Sequence, residues 1–308
     1  MLYLDAISLL VSSVLGLVLA IPSNTCIVMG NLDIIRKKGK VSPTDVIFLA
    51  KGIVNILLQC VLSLQGMFIV LCPAVFYVTE LIGFMNISVC FLTYYNYWLT
   101  FWLSAYYCTT ITNLSYGFFI WIKRIVSNFL SQLLFLTALG MFIVSVPSFL
   151  LAHAESIQSF ENGTEASVNT LNDFFFYLVP ADTLGANLPF CLTLLCLVLT
   201  FSFLLRHVWR VKNNDSGSTH PNLQAHVTAL RTIFFFLLMF AISCISQTVT
   251  FYNENISLVI ASWDLQLLSP SIEAVIIFQA NNKLRRIILR RFWTRSWRNT
   301  ETENVEDP

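Results

Sequence analysis

The side chains of this chain that could do chemistry are sparse, and their spacing suits binding better than catalysis. No HExxH, GxSxG or P-loop pattern occurs, and no helix face carries a histidine paired with a carboxylate. The four histidines, His153, His207, His220 and His226, fall in loops or at helix ends. The eight cysteines show no CxxC or Cys/His spacing, so no metal and no other cofactor is expected. They read as small, weakly polar residues buried in apolar helices. What does gather is a set of polar and aromatic residues inside otherwise apolar sequence: Gln65, Thr93, Tyr94, Tyr97, Gln247, Asp264 and Gln266, with Trp263 and Tyr252 nearby. A cavity lined by aromatics and a few placed polar groups is what a small organic ligand needs. The competing reading makes the Trp and Tyr residues interfacial anchors, and the Gln and Thr residues bridges between helices. Asp264 stands apart. An ionised carboxylate at bilayer depth costs about 2.5–3.5 kcal/mol without a partner or water, so it is expected to face a cavity.

The elements that must hold these residues follow from hydropathy. Of 308 residues, 56% are hydrophobic and only 11% charged, with mean hydropathy +0.71. Soluble domains carry roughly 25% charged residues, so most of this chain belongs in lipid. Seven stretches approach the roughly 20 apolar residues a spanning helix needs: 6–30, 46–71, 82–110, 129–151, 186–208, 230–251 and 257–279. The fold expected is an all-α membrane protein, a seven-transmembrane helix bundle over 1–281. A cytoplasmic tail, 282–308, follows. In it, Leu284, Ile287, Ile288 and Phe292 recur at helical spacing among arginines, which predicts a short basic amphipathic helix on the inner leaflet, ahead of an acidic end. The apolar run Ile7–Ile21 lacks a basic leader and resumes after Asn24, so it reads as a retained first helix rather than a signal peptide. Pro22, Pro147, Pro189 and Pro270 fall inside spans and can kink them.

Charge sets the orientation. Of the 18 Lys and Arg residues, all but Lys51 fall in or beside the connections after spans one, three and five or in the tail. The opposite connections carry Glu80, Glu155, Glu161, Glu165, Asp173, Asp182 and Glu254 instead. The positive-inside rule then puts the N-terminus outside and the tail in the cytoplasm. Lys51, near the inner end of span two, is expected to snorkel toward the cytoplasm. The longest outer connection, 152–185, holds Asn162-Gly-Thr, a glycosylation acceptor in accessible sequence. It has no cysteine to tie it to the third span. Only Asp264 and Glu273 were placed deep in the bilayer, which argues against a pump or channel, and no inverted repeat suggests a transporter.

The stretch Thr93–Ile125 joins a ligand surface to an effector surface in one continuous helix, and the other spans read as scaffold around it. Here a resemblance enters. Asn24-Thr-Cys-Ile, Ser42 and Asp45, WLTFWLSAYYCTTITNLS over 98–115, FFIWIKRI, Leu188-Pro189-Phe190, Leu205-Arg206-His207, Ala225-His226-Val227, Pro270-Ser271 and Asn281-Asn282-Lys283-Leu284-Arg285 occur in the order and spacing of the type 2 bitter taste receptors. The chain resembles that family of seven-helix G-protein-coupled receptors along essentially its whole length. It departs where the family has an Arg in helix two (Asn55 here), a Lys in helix three (Thr110) and a His in helix seven (Glu273). Those departures suggest that its resting-state network uses different groups. The family's Trp and Asn above Trp98 align with Val89 and Thr93.

The resemblance implies that small, often apolar compounds bind in an outer cavity between helices three, five, six and seven. Gln65, Val89, Thr93, Tyr94, Tyr97, Gln247, Tyr252, Trp263, Asp264 and Gln266 are the candidate contacts. It implies coupling to a gustducin-like, inhibitory-class G protein at the inner face. Asn24, Asn55, Tyr107, Thr110, Ser115, Lys123, His207, His226, Leu230 and Glu273 are the candidates for coupling and activation. The partners implied are such ligands, the G protein and membrane lipid, with no nucleic acid and with an oligomer left open. The location implied is the plasma membrane. A pheromone receptor of the vomeronasal type 1 class, and more remotely a small-molecule transporter, are the alternatives.

Overall fold

The computed structural model describes residues 3–38, 42–72, 79–111, 124–126, 128–161, 179–214, 221–252, 255–281 and 284–287. Seven long helices occur among them, in the expected order: α1 (Tyr3–Lys38), α2 (Pro43–Leu71), α3 (Thr79–Ile111), α4 (Leu130–Glu161), α5 (Leu188–Asn214), α6 (Pro221–Tyr252) and α7 (Ile256–Ala280). A π-helical turn, Thr183–Asn187, leads directly into α5. Asn162, Ser115 and Lys123, and all but the first turn of the predicted tail helix, lie outside the described residues, as do the side chains of Tyr252, His207 and His226.

Local sequence explains the ends. Ser42 precedes Pro43, whose missing N–H costs nothing at the first helical position, and Asp45 sits in the first turn of α2. Asn255 caps α7: its Oδ1 accepts the backbone N–H of Ser257.

Five helical segments are long and apolar enough to cross a membrane: Leu4–Lys37, Pro43–Leu71, Val179–Arg206, Val227–Thr250 and Ile256–Ala280. In α4 the apolar part is Leu130–Val146. Helix α3 has the length, 33 residues, but its second half is diluted by Tyr, Trp, Thr and Asn96. Packing shows why that is tolerated. Helix α3 touches α2, α4, α5 and α6, while α1 lies against α2 and α7, and α6 against α5 and α7. The outer helices show lipid-sized apolar side chains, such as Val18, Phe135 and Ile245, each more than 60% exposed. Within α3 the one large apolar side chain so exposed is Phe84. A helix enclosed by others needs no uniformly apolar surface, and its polar groups are free to bond across the bundle.

Close approach is built in where α1 meets α2. A Cβ on Gly16 would lie 2.3 Å from Gln59 Nε2 and 3.1 Å from the Leu267 carbonyl, so the missing side chain leaves the room that the Gln59 amide occupies against α1.

Candidate functional site

Every fourth residue of α2, from Lys51 through Asn55 and Gln59 to Ser63, is polar, and all four are fully buried. Residues four apart share one helix face, so this stripe forms a polar seam pointing into the bundle. Lys51 Nζ lies 3.2 Å from Glu273 Oε2 on α7 and donates to Asn96 Oδ1 on α3. Its ammonium also sits 4.7 Å from the centre of the Phe236 ring on α6, a cation–π contact. Asn96 Nδ2 donates to both carboxylate oxygens of Glu273, at 3.1 and 3.0 Å, and to Asn55 Oδ1 at 3.3 Å. Asn55 Nδ2 donates in turn to Asn24 Oδ1 on α1 at 3.3 Å. Asn24 Nδ2 donates to the carbonyls of Ala20 and Pro270, at 2.9 and 3.1 Å. Further along, Gln59 donates to Ser63, whose hydroxyl donates to the Ser13 carbonyl. Helices α1, α2, α3 and α7 are thus tied by one chain of hydrogen bonds around one ion pair.

Lys51 corrects the expectation that it would snorkel. It lies eight residues into α2, about 12 Å along the axis, on the face turned toward the bundle and not toward lipid. From there Glu273 and Asn96 are nearer than the aqueous phase, and a buried cation is held only if paired and hydrogen-bonded. Of the three departures expected to alter the resting network, Asn55 and Glu273 lie in the seam, where Asn24 joins them, while Thr110 is exposed and bonds to the Tyr106 carbonyl. Lys51 and Asn96 were missed as members. The four-residue polar stripe in α2, and the lack of any other deep cation for Glu273, were the available signals.

Beside the ion pair, toward the end of the bundle where α3 and α7 begin, is a cleft lined by Thr93, Asn96 and Tyr97 of α3, Ser243 and Gln247 of α6, and Gln266, Ser269 and Glu273 of α7, with Leu58 and Leu62 of α2. Four of the expected ligand residues meet here: Thr93, Tyr97, Gln247 and Gln266. Gln266 Nε2 donates to Thr250 Oγ1 at 3.3 Å, bridging α7 to α6. The Tyr97 hydroxyl is buried without a partner of hydrogen-bond geometry. The cleft is narrow, about 20 Å3, room for roughly one water molecule.

An aromatic wedge closes its α5 side. Tyr97 stacks on Phe240 of α6 at 3.8 Å between centroids, 16° from parallel, and Phe190 of α5 meets Phe240 edge-on at 5.3 Å. The wedge belongs to a second core, with Cys90, Tyr94, Met141 and Ala186. Phe190 and Phe240 were not foreseen, because apolar aromatics in apolar helices carry no distinguishing pattern. The π turn serves this contact. Pro189 has no N–H, and its ring would clash with the carbonyl of residue 185 in a regular helix. The widened turn, closed by Leu188 N–H to the Thr183 carbonyl, absorbs that clash. It brings Gly185 so close to Tyr94 that a Cβ would lie 2.5 Å from the ring. Tyr94 donates its hydroxyl to Asp182, and Trp98 Nε1 donates to the Leu184 carbonyl at 3.2 Å.

The remaining candidates lie elsewhere. Asp264 accepts from Ser8 and Ser12, so it faces α1 and not the cleft. The two hydroxyls satisfy the carboxylate that was expected to need a cavity. Gln65 donates to Asn86 on α3 at 3.1 Å. Val89 and Trp263 pack against the main core, with the Trp263 Nε1 unpaired. Near the inner end, Tyr107 packs on the same core, Thr110 is exposed with its hydroxyl on the Tyr106 carbonyl, and Leu230 is half-buried.

The helix order, the enclosed third helix and the apolar spans define a multi-pass membrane protein built as an all-α helical bundle. A family model for taste receptor protein (TAS2R) matches residues 1–296, so the chain belongs to the taste receptor (TAS2R) family, and the resemblance to the bitter, type 2 class of G-protein-coupled receptors holds over its length. It is 29% identical over 280 residues to taste receptor type 2 member 9 of Papio hamadryas and 28% identical over 286 residues to that of Homo sapiens, with 89% of each chain covered. It is 26% identical over 232 residues to taste receptor type 2 member 40 of Gallus gallus, covering 74% of this chain and 73% of that one. The family is a receptor family and not an enzyme class.

Proposed function

We propose that this receptor detects small, often apolar bitter compounds in the outer cleft between α3, α6 and α7 and passes the signal to a gustducin-like G protein. The N-terminus then lies outside the plasma membrane and the tail inside, as the basic residues require. One observation carries the reading: Asn96 and Glu273 line the cleft and are also the centre of the seam. A ligand that bonds to either, or that separates α3 from α7, competes with the Lys51 pairing. The binding site and the mid-membrane clamp therefore share atoms.

Because the cleft is about 20 Å3 in this arrangement, an organic ligand binds by moving the Tyr97–Phe240 wedge outward. Its differential affinity for the wide and narrow arrangements sets how far it shifts the equilibrium. The inner ends of α3, α5 and α6 separate in the wide state. The G protein then docks on Tyr107, the 115–123 segment, His207, His226 and Leu230. Thr110 lies beside that surface, and Asn162 carries a glycan on the outer loop.

The test is calcium release in cells expressing the chain with a gustducin-type chimeric Gα subunit, against bitter plant compounds. A dose-dependent response, absent from receptor-negative cells and weakened by Thr93→Ala or Gln247→Ala at unchanged surface expression, is expected. Silence across the panel despite confirmed surface expression would remove the support for this reading.

A further inference from the structure

The inner ends of α6 and α7 enclose a second cavity of about 400 Å3, far larger than the outer cleft. Three arginines reach it: Arg231 from α6, and Arg285 and Arg286 from the turn after α7. Among the described residues no carboxylate lines it; its other described polar walls are Thr228, Thr232 and Gln279. Arg231 donates to Gln279 Oε1 at 2.8 Å, and its guanidinium lies 5.6 Å from the centre of the Phe235 ring. Asn281 anchors the backbone that carries the other two: its Oδ1 accepts the backbone N–H of Leu284 and its carbonyl accepts that of Arg285, while Leu284 is fully buried. The three arginine side chains themselves are exposed.

Three guanidinium forks, with no carboxylate among the described lining residues, are the donor set of a phosphate site. Three like charges around one cavity repel one another until a polyanion neutralises them. A singly charged headgroup would neutralise only one. The cavity also adjoins lipid, since the neighbouring α6 residues Phe234 and Leu238 are 52% and 46% exposed. Acyl chains can lie along that face while a headgroup occupies the cavity. We propose that this cavity binds the phosphomonoester headgroup of an inner-leaflet phosphoinositide, fixing the α6–α7 spacing from the cytoplasmic side. The inner-leaflet assignment rests on the orientation argued under Proposed function.

The experiment uses full-length receptor in phosphatidylcholine nanodiscs with either phosphatidylinositol 4,5-bisphosphate or phosphatidylserine at matched charge. Retained lipid is read by native mass spectrometry. One phosphoinositide per receptor is expected, in preference to the serine lipid. Arg285→Gln/Arg286→Gln should weaken retention at least about tenfold, taking about 1 kcal/mol per arginine near the surface. Arg36→Gln/Lys37→Gln, the same charge removed from α1, should leave it unchanged. Arg231→Gln provides the same test should the double variant not fold. Equal retention of phosphatidylserine, or equal losses from the α1 control, would overturn the proposal. So would equally tight binding of soluble inositol trisphosphate in discs free of phosphoinositide, or occupation by an acidic G-protein C-terminal peptide in its place. Nanodiscs expose both faces, so a wrong orientation would leave binding intact. It would appear instead as a tail epitope stained on unpermeabilised cells.

Discussion

The polar seam and the aromatic wedge flank the same cleft, and they are built on opposite principles. The seam joins α1, α2, α3 and α7 through a charge pair and directional hydrogen bonds, each group dependent on the next. The wedge joins α3, α5 and α6 through ring faces and one close glycine contact, with the Tyr97 hydroxyl left over. A directional network has one good geometry and resists gradual deformation. Stacked rings slide at low cost. On the function proposed above, the contrast divides the roles: the wedge is the part a ligand would displace, and the seam the part that would change state once displacement reaches Asn96.

The sharpest way to break this assignment is to unpair the seam. Glu273→Ala strands the Lys51 ammonium in a fully buried place, and losing one partner of such a pair costs about 3–5 kcal/mol. A large fall in the melting temperature of the solubilised receptor and in its surface expression is expected. Lys51→Met/Glu273→Leu, which removes both charges, should recover most of the stability. If the single variant is as stable as the parent, the pair is not the clamp. If the double variant is as damaged as the single one, the loss comes from packing and not from an orphaned charge.

A smaller effect tests the wedge. Gly185→Ala puts a Cβ within 2.5 Å of the Tyr94 ring, and such overpacking costs about 1–3 kcal/mol. The ring must shift, which also disturbs its hydrogen bond to Asp182. Tyr94→Leu in the same chain should relieve the clash, so the double variant should be expressed better than Gly185→Ala alone. Equal expression of Gly185→Ala and the parent would show that α5 gives way at the π turn, and that the wedge is looser than its geometry suggests.

Legibility in the sequence divides along the same line. Most of the helices are readable because lipid imposes length and hydropathy on them, while Asn55 and Glu273 are readable as departures within a recognisable pattern and Asn24 as a match to it. Lys51 was misjudged because hydropathy gives depth but not azimuth: a lysine on the lipid face snorkels, whereas one on the inner face must find a carboxylate. Its i+4 succession with Asn55, Gln59 and Ser63 held that azimuth. Asp264 was sent to the cleft by the same gap, since nothing local tells which neighbour a helix-seven carboxylate faces. Phe190 and Phe240 could not be singled out among 26 phenylalanines, because their role comes from crossing three helices at one point. The narrowness of the cleft is likewise a property of packing, which no pattern of polar residues encodes.

Phe240→Leu changes stability by about as much as Gly185→Ala, roughly 1–3 kcal/mol, but gives the finest test of the comparison. It keeps an apolar side chain between α3, α5 and α6 but removes both ring contacts, each worth about 0.5–1.5 kcal/mol beyond burial. If stacking on Tyr97 holds the cleft narrow, loosening it lowers the cost of widening. Ligands should then act at lower concentration, and bulkier ones should gain most. Because the seam is untouched, the maximum response should stay at the parent level, so the calcium-release curve shifts along the concentration axis without changing height. A reduced maximum at unchanged surface expression would place Phe240 on the signalling path itself. The division between a wedge that yields and a clamp that switches would then fail at the point where Tyr97 and Asn96, adjacent in α3, meet the same cleft.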